Sequence, residues 1–397
     1  DKAGLSELTA SMVNESTKNY SNEAFALELE KLGSSVSFDG GSNFSSLNIS
    51  SLTKNLDKTL ALALERLTNP AFSEKDFARV KAQMIQGIEH GKKQPAVTAN
   101  NAFSKLLFGA NSALGMPDNG SVASVSALQL SDVVAFYQET ISKAKLSIVV
   151  VGAVPQKDLM KKLEVFASWK GNNTARPTQP AGPDLGKTRL FLIDKPGAAQ
   201  SEIRIGMRSI PFDATGEYYR AGLANFNLGG AFNSRININL REDKGYTYGA
   251  RSSFSGAEDY GYFTASAGVR TDATDKSIIE FLKEIRNFRD NGMTDEELAF
   301  LKNAIGQKDA RAYETPSQKL NFLFTMMRYN LKPSYVDEQQ EILRNISKEE
   351  LNAVASKLLD INNMQIVVVG DSKVISDGLK ALGFDIVKMD EEGNTLQ

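Results

Sequence analysis

The sequence contains no cysteine and only one histidine, His90, among its 397 residues. Without cysteine, the chain can form neither disulfides nor thiolate metal sites. With one histidine, it cannot supply the two imidazole ligands of a typical catalytic zinc site. An all-carboxylate site, or one with a single histidine, suits harder metals better. We expect His90 to be a solvated side chain favoured by a helix C-terminus, rather than a lone ligand or base.

A large net charge and a long apolar run are also missing. The formal charge is −2, so the sequence lacks the electrostatic footprint of a nucleic-acid binder. The longest apolar run, residues 146–154, is too short to span a bilayer and predicts a buried strand. No charged-then-apolar leader opens the chain, so we expect any signal peptide to be removed or outside this sequence. With 41% apolar and 24% charged residues, the composition is that of an ordinary globular protein.

A repeated pattern organises the chain. Residues 146–152 read Leu-Ser-Ile-Val-Val-Val-Gly, and residues 364–370 read Met-Gln-Ile-Val-Val-Val-Gly. Each stretch follows a helical pattern opened by serine and precedes a second amphipathic helix. Ala3-Gly4-Leu5 and Ala221-Gly222-Leu223 recur at the same offset. These anchors in one order predict an internal duplication.

The duplication predicts two domains and a connection between them. Residues 171–186 are rich in glycine, proline and asparagine, which is typical of a linker. We therefore assign residues 1–170 to a first domain and residues 187–397 to a second. The second domain has two strand-like stretches, 188–194 and 201–208, ahead of Ala221. We expect the first domain to lack these opening strands, whose counterparts should lie upstream of Asp1.

Hydrophobic periodicity predicts the remaining elements and an α+β fold. Each domain is expected to have a mixed, mostly antiparallel sheet with helices on one face. The further predicted strands are 34–38, 44–50, 145–151, 247–255, 260–267 and 364–369. The predicted helices are 54–68, 73–90, 130–140, 155–168, 294–312, 316–329, 372–383 and one containing Ile278–Phe288 that stops at Gly292.

The segment from Gly4 to Met12 resembles the zinc-motif segment of the insulinase, or pitrilysin, metallopeptidase family. In that family the helix carries two histidines and a glutamate that activates the zinc-bound water. The matching positions in this sequence are Glu7, Ala10 and Ser11. The family's third ligand would fall near residues 86–88, where no carboxylate stands. The resemblance therefore implies a degenerate motif, with no metal site in this chain.

A second segment resembles the distal signature of the same family. It comprises residues 228–249, called the signature segment below. Leu228-Gly229-Gly230, Asn233-Ser234-Arg235 and the run from Leu240 to Gly249 match a pattern of G-G, S-R-L and L-R-E-x-x-G-L-x-Y. The stretch 195–200 resembles the family's link between two strands, and the resemblance extends over essentially the whole chain.

The resemblance implies that Arg241 and Tyr248 stabilise the developing oxyanion of peptide hydrolysis. Arginine offers a charged planar fork and tyrosine one directed hydroxyl. Fixed donors of this kind stabilise the tetrahedral species more than the planar substrate. Spacing alone favours a solvated arginine and a packed tyrosine, and the surrounding signature reverses that preference. Tyr246 is a competitor, because it would share a strand face with Tyr248.

Two hypotheses follow. In the first, the chain is the non-catalytic half of a zinc metalloendopeptidase, and a partner chain or another part of one polypeptide supplies H-x-x-E-H and the zinc. In the second, it is a scaffold or peptide-binding protein of the same fold. The expected partners are that catalytic subunit and a peptide substrate, with neither nucleic acid nor a membrane span. On family habit, we favour a bacterial periplasm or cell envelope over the cytoplasm.

We predict that the isolated chain binds no stoichiometric zinc and hydrolyses no peptide, because the motif positions carry Glu7, Ala10 and Ser11. Metal analysis after dialysis, together with a peptidase assay, tests this prediction. One tightly bound zinc per chain, with peptidase activity that chelators abolish, would contradict it.

Overall fold

A computed structural model describes residues 2–41, 44–174, 182–309 and 312–396 of the chain. The chain forms two compact units. The first contains residues 1–91 and 110–180, and the second contains residues 92–109 and 181–397. In the described part of the chain, no helix is long and apolar enough to cross a membrane.

The first half of the chain contains eight helices and one hairpin in the described residues. These elements are α1 (Leu5–Val13), α2 (Asn22–Leu32), β1 (Ser35–Asp39), β2 (Ser46–Ser50), α3 (Leu56–Thr68), α4 (Glu74–Lys92), α5 (Pro95–Phe108), α6 (Val122–Ala127), α7 (Leu130–Phe136) and α8 (Gln156–Leu163). Helix α7 continues into a wide turn over Tyr137–Ile141.

The second half follows a similar order of elements. They are β3 (Leu190–Asp194), β4 (Gln200–Ser209), α9 (Glu217–Asn225), α10 (Arg235–Asn237), β5 (Thr247–Gly256), β6 (Gly261–Arg270), α11 (Thr274–Asn291), α12 (Asp295–Asp309), α13 (Pro316–Tyr329), α14 (Tyr335–Asn345), α15 (Lys348–Leu358), β7 (Gln365–Gly370), α16 (Ser372–Ala381) and β8 (Ile386–Met389).

The second unit is built on a six-stranded sheet with the order β5-β6-β4-β7-β3-β8. The pairs β5–β6, β6–β4 and β4–β7 are antiparallel, whereas β3 pairs in parallel with β7 and β8. Every residue of β7 is buried, as expected for a central strand covered on both faces. The predicted mixed, mostly antiparallel sheet is therefore confirmed for the second unit, whereas the described strands of the first unit form only the antiparallel pair β1–β2.

Helix α11 shows how the sequence pattern produces the packing on one face of this sheet. Its apolar side chains recur at helical spacing, and the five apolar residues of the predicted face between Ile278 and Phe288 are all buried in the core. They pack with inward-facing residues of the sheet, such as Ile203 and Ile205. The helix ends at Gly292, whose φ of 68° favours glycine, and the predicted stop is confirmed.

Helix α5 comes from the first half of the chain but packs in the second unit. Phe103 lies close to Gly206 of β4, and Asn100 accepts a 2.7 Å hydrogen bond from Arg204 Nε. The second unit therefore has a helix on each face of its sheet, which amends the predicted cover of one face. The assignment of residues 1–170 to one domain needs the same amendment, since residues 92–109 pack in the second unit.

Two predicted stretches lie partly outside the described residues. They are the linker, at residues 175–181, and the helix over 294–312, at positions 310–311.

A buried arginine, Arg66, links several elements of the first unit. The guanidinium of Arg66 donates to the backbone carbonyls of Val36 and Asn14 and lies 4.2 Å from the centre of the Phe25 ring. Burial lowers the pKa of Arg66, and these hydrogen bonds from Nη1 and Nη2 compensate part of the cost of burying its charge. The arginine thus connects α3 to the hairpin and to the end of α1.

The predicted strand over residues 145–151 is wrong. This stretch is irregular, and Ile148 and Val150 are 45% and 41% exposed. A strand forms only where neighbouring strands satisfy its backbone groups. Its counterpart β7 lies between β3 and β4, and the first unit has only the β1–β2 pair among its described strands.

Candidate functional site

The three degenerate motif positions lie on α1. Ala10 is buried, whereas Glu7 and Ser11 are half-buried. The helix begins after Gly4, whose φ is 89°. A Cβ at Gly4 would lie 2.8 Å from Val125 Cγ2 and 2.9 Å from the Asn119 carbonyl, so this close approach requires glycine.

Glu7 lies in a setting that disfavours its charged form. Burial, and then the negative charges of Asp118 and Asp39, raise the pKa of its carboxyl group. Within the ranges that the structure describes, no three histidine, cysteine, aspartate or glutamate side chains are grouped so that they could hold a metal ion. The α1 region therefore has carboxylates nearby but no ligand cluster.

The expected third-ligand region lies on α4. Ile88 is buried there, and Gln86 and Gly87 are exposed and contribute no carboxylate. His90 is exposed near the end of this helix, which confirms that it is a solvated side chain.

The signature segment forms a compact path through the second unit. Helix α9 continues into a wide, π-helical turn over Phe226–Gly230, and α10 continues into another over Ile238–Asp243. Each turn is closed by a bond across five residues, Ala231 N–H to the Phe226 carbonyl and Lys244 N–H to the Asn239 carbonyl. Wide turns of this kind are rare in helices and are frequent at functional sites.

The first wide turn lies against strand β5. A Cβ at Gly229 would lie 2.2 Å from the hydroxyl oxygen of Ser252, so only glycine allows this approach. The Asn225 side chain donates to the Ser252 carbonyl at 2.8 Å and accepts from the Ser252 hydroxyl at 2.6 Å. The first glycine of the signature pair, Gly229, is therefore a packing requirement.

Arg235 of the signature is a structural residue. Its Nε and Nη2 atoms each lie 2.6 Å from a carboxylate oxygen of Glu297, which is a bidentate ion pair. Nη2 also donates to the Gly292 carbonyl. Glu297 in turn forms a capping box with Thr294 at the start of α12. One glutamate thus begins a helix and anchors the signature segment.

Asn237 connects three parts of the site. Its Oδ1 accepts a 2.9 Å hydrogen bond from Ala250 N–H in β5, and its Nδ2 donates at 2.7 Å to the Phe232 carbonyl. The side chain is only 5% exposed. Sequence reasoning missed this residue, because its role depends on a strand that lies beside it only in the folded protein.

Arg241 lies at the second wide turn, beside an exposed aromatic ring. Its guanidinium carbon is 4.6 Å from the centre of the Phe232 ring, within the range of a cation–π contact. Its Nε lies 3.4 Å from Glu242 Oε1. Phe232 is 68% exposed, so it supports the arginine side chain at the surface and not in the core.

Tyr248 lies in a β-bulge near the start of β5. The pairing of β5 with β6 shifts between Thr247 and Ala250, which bends the strand at Tyr248 and Gly249. Tyr248 is 91% exposed. The structure therefore leaves its hydroxyl group accessible to another molecule.

Tyr246 differs from Tyr248 in its surroundings. Its backbone N–H donates to the Leu240 carbonyl, and its carbonyl accepts from Arg270 N–H. Tyr246 is half-buried and precedes the strand, so the two tyrosines do not share one strand face as the sequence suggested. Its position closes the loop between Arg241 and Tyr248.

The fold and this site define a class of protein, a two-unit relative of metallopeptidases that has a developed signature segment and no ligand cluster among its described residues. The insulinase family, peptidase family M16, matches residues 1–113, and the peptidase M16 inactive domain matches residues 127–305. The chain belongs to peptidase family M16, the insulinase family, as a non-catalytic member.

Relatives and solved structures agree with this assignment. The non-peptidase homolog YmxG of Helicobacter pylori is 23% identical over 94% of this chain and 86% of its own length. An uncharacterized zinc protease of Streptomyces coelicolor is 27% identical over 64% of this chain and 56% of its own length. A peptidase M16 inactive domain from Pseudomonas fluorescens matches with a TM-score of 0.84 and 25% identity, covering 94% of this chain and 89% of that one.

A longer relative shares the fold alone. The periplasmic protease PqqL from Escherichia coli matches with a TM-score of 0.74 and 13% identity. The match covers 92% of this chain and 40% of that protein.

We predict that Asn237→Ala weakens the anchoring of the bulge. The Ala250 N–H loses its buried acceptor, which typically costs about 1–3 kcal/mol. Hydrogen exchange at Ala250 should therefore accelerate by about tenfold or more, as measured by mass spectrometry of peptides covering residues 248–252. Asn233→Ala is the matched control at an exposed position of the same segment and should leave this exchange unchanged. Equal exchange in Asn237→Ala and the unaltered protein would contradict the assignment.

We also predict that Glu7→Gln stabilises the first unit at pH 7. An acid whose pKa is raised on folding costs stability as the pH rises above the unfolded value, near 4.5, and through the folded pKa. The amide removes that cost, so the gain should be present at pH 7 and disappear below about pH 4, where the carboxyl is protonated in both states.

The fluorescence of Trp169 can follow this change, because it is the only tryptophan and belongs to the first unit. Glu30→Gln, at an exposed position of α2, is the control and should have little effect. A gain that is the same at both pH values would show that charge is not the cause.

Proposed function

We propose that this chain is the non-catalytic half of a zinc metalloendopeptidase. A partner bearing H-x-x-E-H supplies the zinc and the general base, and this chain supplies Arg241, Tyr248 and part of the enclosing wall. The observation that carries the proposal is the exposure of the Tyr248 side chain in a bulge of β5. The bacterial cell envelope stays our prediction for the compartment.

The chemistry of the two side chains suits a developing oxyanion. Arg241 is always charged and can donate from its guanidinium, and Tyr248 offers one hydroxyl donor. The Phe232 ring holds the guanidinium at the surface, and the bulge holds the tyrosine outward. Donors fixed in advance require little reorganisation when charge develops on the substrate, so they favour the transition state.

The exposure of the site supports a role for a partner. In open water, a hydrogen bond from Tyr248 or Arg241 to an oxyanion competes with solvent and contributes little. The same donors become effective when a second surface covers them and excludes water. Since the described residues hold no ligand cluster, the surface that covers them would also have to bring the metal.

We predict that Arg241→Ala and Tyr248→Phe each lower turnover in the assembled enzyme by on the order of 100-fold, because each removes one donor to the oxyanion. The loss should appear mainly in kcat, since the donors bind the transition state more strongly than the substrate. The measurement is steady-state peptide hydrolysis by the assembly with its H-x-x-E-H partner.

Tyr246→Phe is the matched control and should retain most of the turnover, because Tyr246 acts through its backbone. The zinc content of the partner should not change in any variant. Full activity of both Arg241→Ala and Tyr248→Phe would contradict the proposal and would favour a scaffold or peptide-binding protein of the same fold.

A further inference from the structure

The side chain of Asn239 connects the second wide turn to helix α11. Asn239 is the second residue of this turn, which also carries Arg241, and it is only 8% exposed. Its Nδ2 donates to Glu280 Oε2 at 2.8 Å and to Glu284 Oε1 at 2.7 Å. The two glutamates are four residues apart on α11, so they project from the same face of the helix. Two carboxylates of one helix therefore bind one amide of the signature segment.

Glu280 also contacts the residue that follows the turn. Its Oε1 lies 3.9 Å from Lys244 Nζ, while its Oε2 accepts from Asn239. The Lys244 N–H donates to the Asn239 carbonyl at 3.0 Å and closes the turn. Both ends of the turn are therefore joined to the same glutamate, and Arg241 lies between them in the chain.

Glu280 accepts these contacts as a carboxylate. Burial alone would raise the pKa of Glu280, but the hydrogen bond from Asn239 and the charges of two nearby lysines lower it overall. The lysines are Lys283 and Lys244. A hydrogen bond to an ionised acceptor is stronger than one between neutral groups. At neutral pH the contact of Glu280 with the turn is therefore at full strength.

Stability alone does not explain this arrangement. Two carboxylates lie against one nitrogen atom, and like charges at short range repel each other. Within the ranges that the structure describes, Asn239 Oδ1 is buried and has no hydrogen-bond partner. Buried polar atoms are nearly always paired in folded proteins, so an unpaired one calls for a specific reason. The amide at this position orients the turn at some expense to the core.

We propose that Glu280 and Glu284 are positioning residues that act through Asn239 to fix the second wide turn and the direction of Arg241. This inference rests on the proposed function of Arg241. The effect of a fixed donor depends closely on its position, so a turn that is free to move would lower the rate. The Phe232 ring orients the guanidinium end of the arginine, and the glutamates orient the backbone from which its side chain projects.

Hydrogen exchange of the isolated chain tests whether the glutamates hold the turn. In the double variant Glu280→Ala/Glu284→Ala, exchange of peptides covering residues 240–247 should accelerate by about tenfold or more. Glu280→Gln/Glu284→Gln keeps an oxygen acceptor at each position and should exchange at nearly the unaltered rate. Lys276→Ala, at an exposed position of the same helix, is the control and should have no effect. Unchanged exchange in the alanine variant, or equal acceleration in both double variants, would overturn the proposal.

Turnover of the assembled enzyme tests whether this support acts through Arg241. The alanine double variant should lower kcat by about tenfold with little change in KM, and the glutamine double variant should restore most of it. Both variants remove the same two charges, so their comparison separates position from charge. In an Arg241→Ala background, the alanine substitutions should cause no further loss, because their effect passes through the arginine. An equal loss in that background, or no loss in an enzyme that needs Arg241, would overturn the proposal.

The two measurements distinguish failure of this inference from failure of the function on which it rests. Unchanged exchange in the alanine variant would remove Glu280 and Glu284 as positioning residues and would leave the role of Arg241 and Tyr248 untouched. Full activity of both Arg241→Ala and Tyr248→Phe would contradict the proposed function. It would overturn the catalytic part of this inference with it, whatever the exchange rates show.

Discussion

The bidentate ion pair between Arg235 and Glu297 is the contact on which the signature segment depends. Both side chains are about three-quarters buried, so removing either one would leave the other as an unpaired and poorly solvated charge. Glu297 also caps α12, and Arg235 also binds the carbonyl of Gly292 that follows α11. The pair therefore fixes the segment against two helices of the core. Two residues further along the segment, the Asn237 side chain forms hydrogen bonds to β5 and to the loop of Phe232, which hold the segment against both.

The two motif regions differ in what the fold retains. On α1, Leu8 and Met12 are buried in the core, whereas the positions that match the family's metal motif carry Glu7, Ala10 and Ser11. In the signature segment, the packing residues, the half-buried Arg241 and the exposed Tyr248 are all present. Helix α1 is therefore stabilised by its core contacts. The signature segment keeps exposed side chains that contribute little to its packing.

Much of the fold follows from the sequence because local patterns and burial agree. The helix over Ile278–Phe288, its stop at Gly292 and five of the six strands of the second unit are within a few residues of their predicted bounds, whereas β8 was not predicted. The strand over residues 145–151 was predicted wrongly, because none of the described strands pairs with this stretch. Its residues favour a strand, but a strand is a property of neighbouring chains as well as of its own side chains. Helix α5 was not predicted, and its residues were assigned to the first domain, because the order of residues along the chain does not identify the surface that a helix covers.

For the site, the sequence identified Arg241 and Tyr248 through resemblance and kept Tyr246 as a competitor, without a physical basis for the distinction. That distinction comes from the bulge between Thr247 and Ala250, which depends on the register with β6 and on the Asn237 side chain. The bulge also explains how an exposed donor can be well positioned. A tyrosine on a regular strand would point where the pleat directs it, whereas the bulge bends the strand and turns Tyr248 out of the alternation. Its neighbours on both sides, Thr247 and Ala250, stay bonded to the rest of the unit. The position of Tyr248 is thus fixed by its backbone, which leaves the ring and hydroxyl group free to contact another molecule.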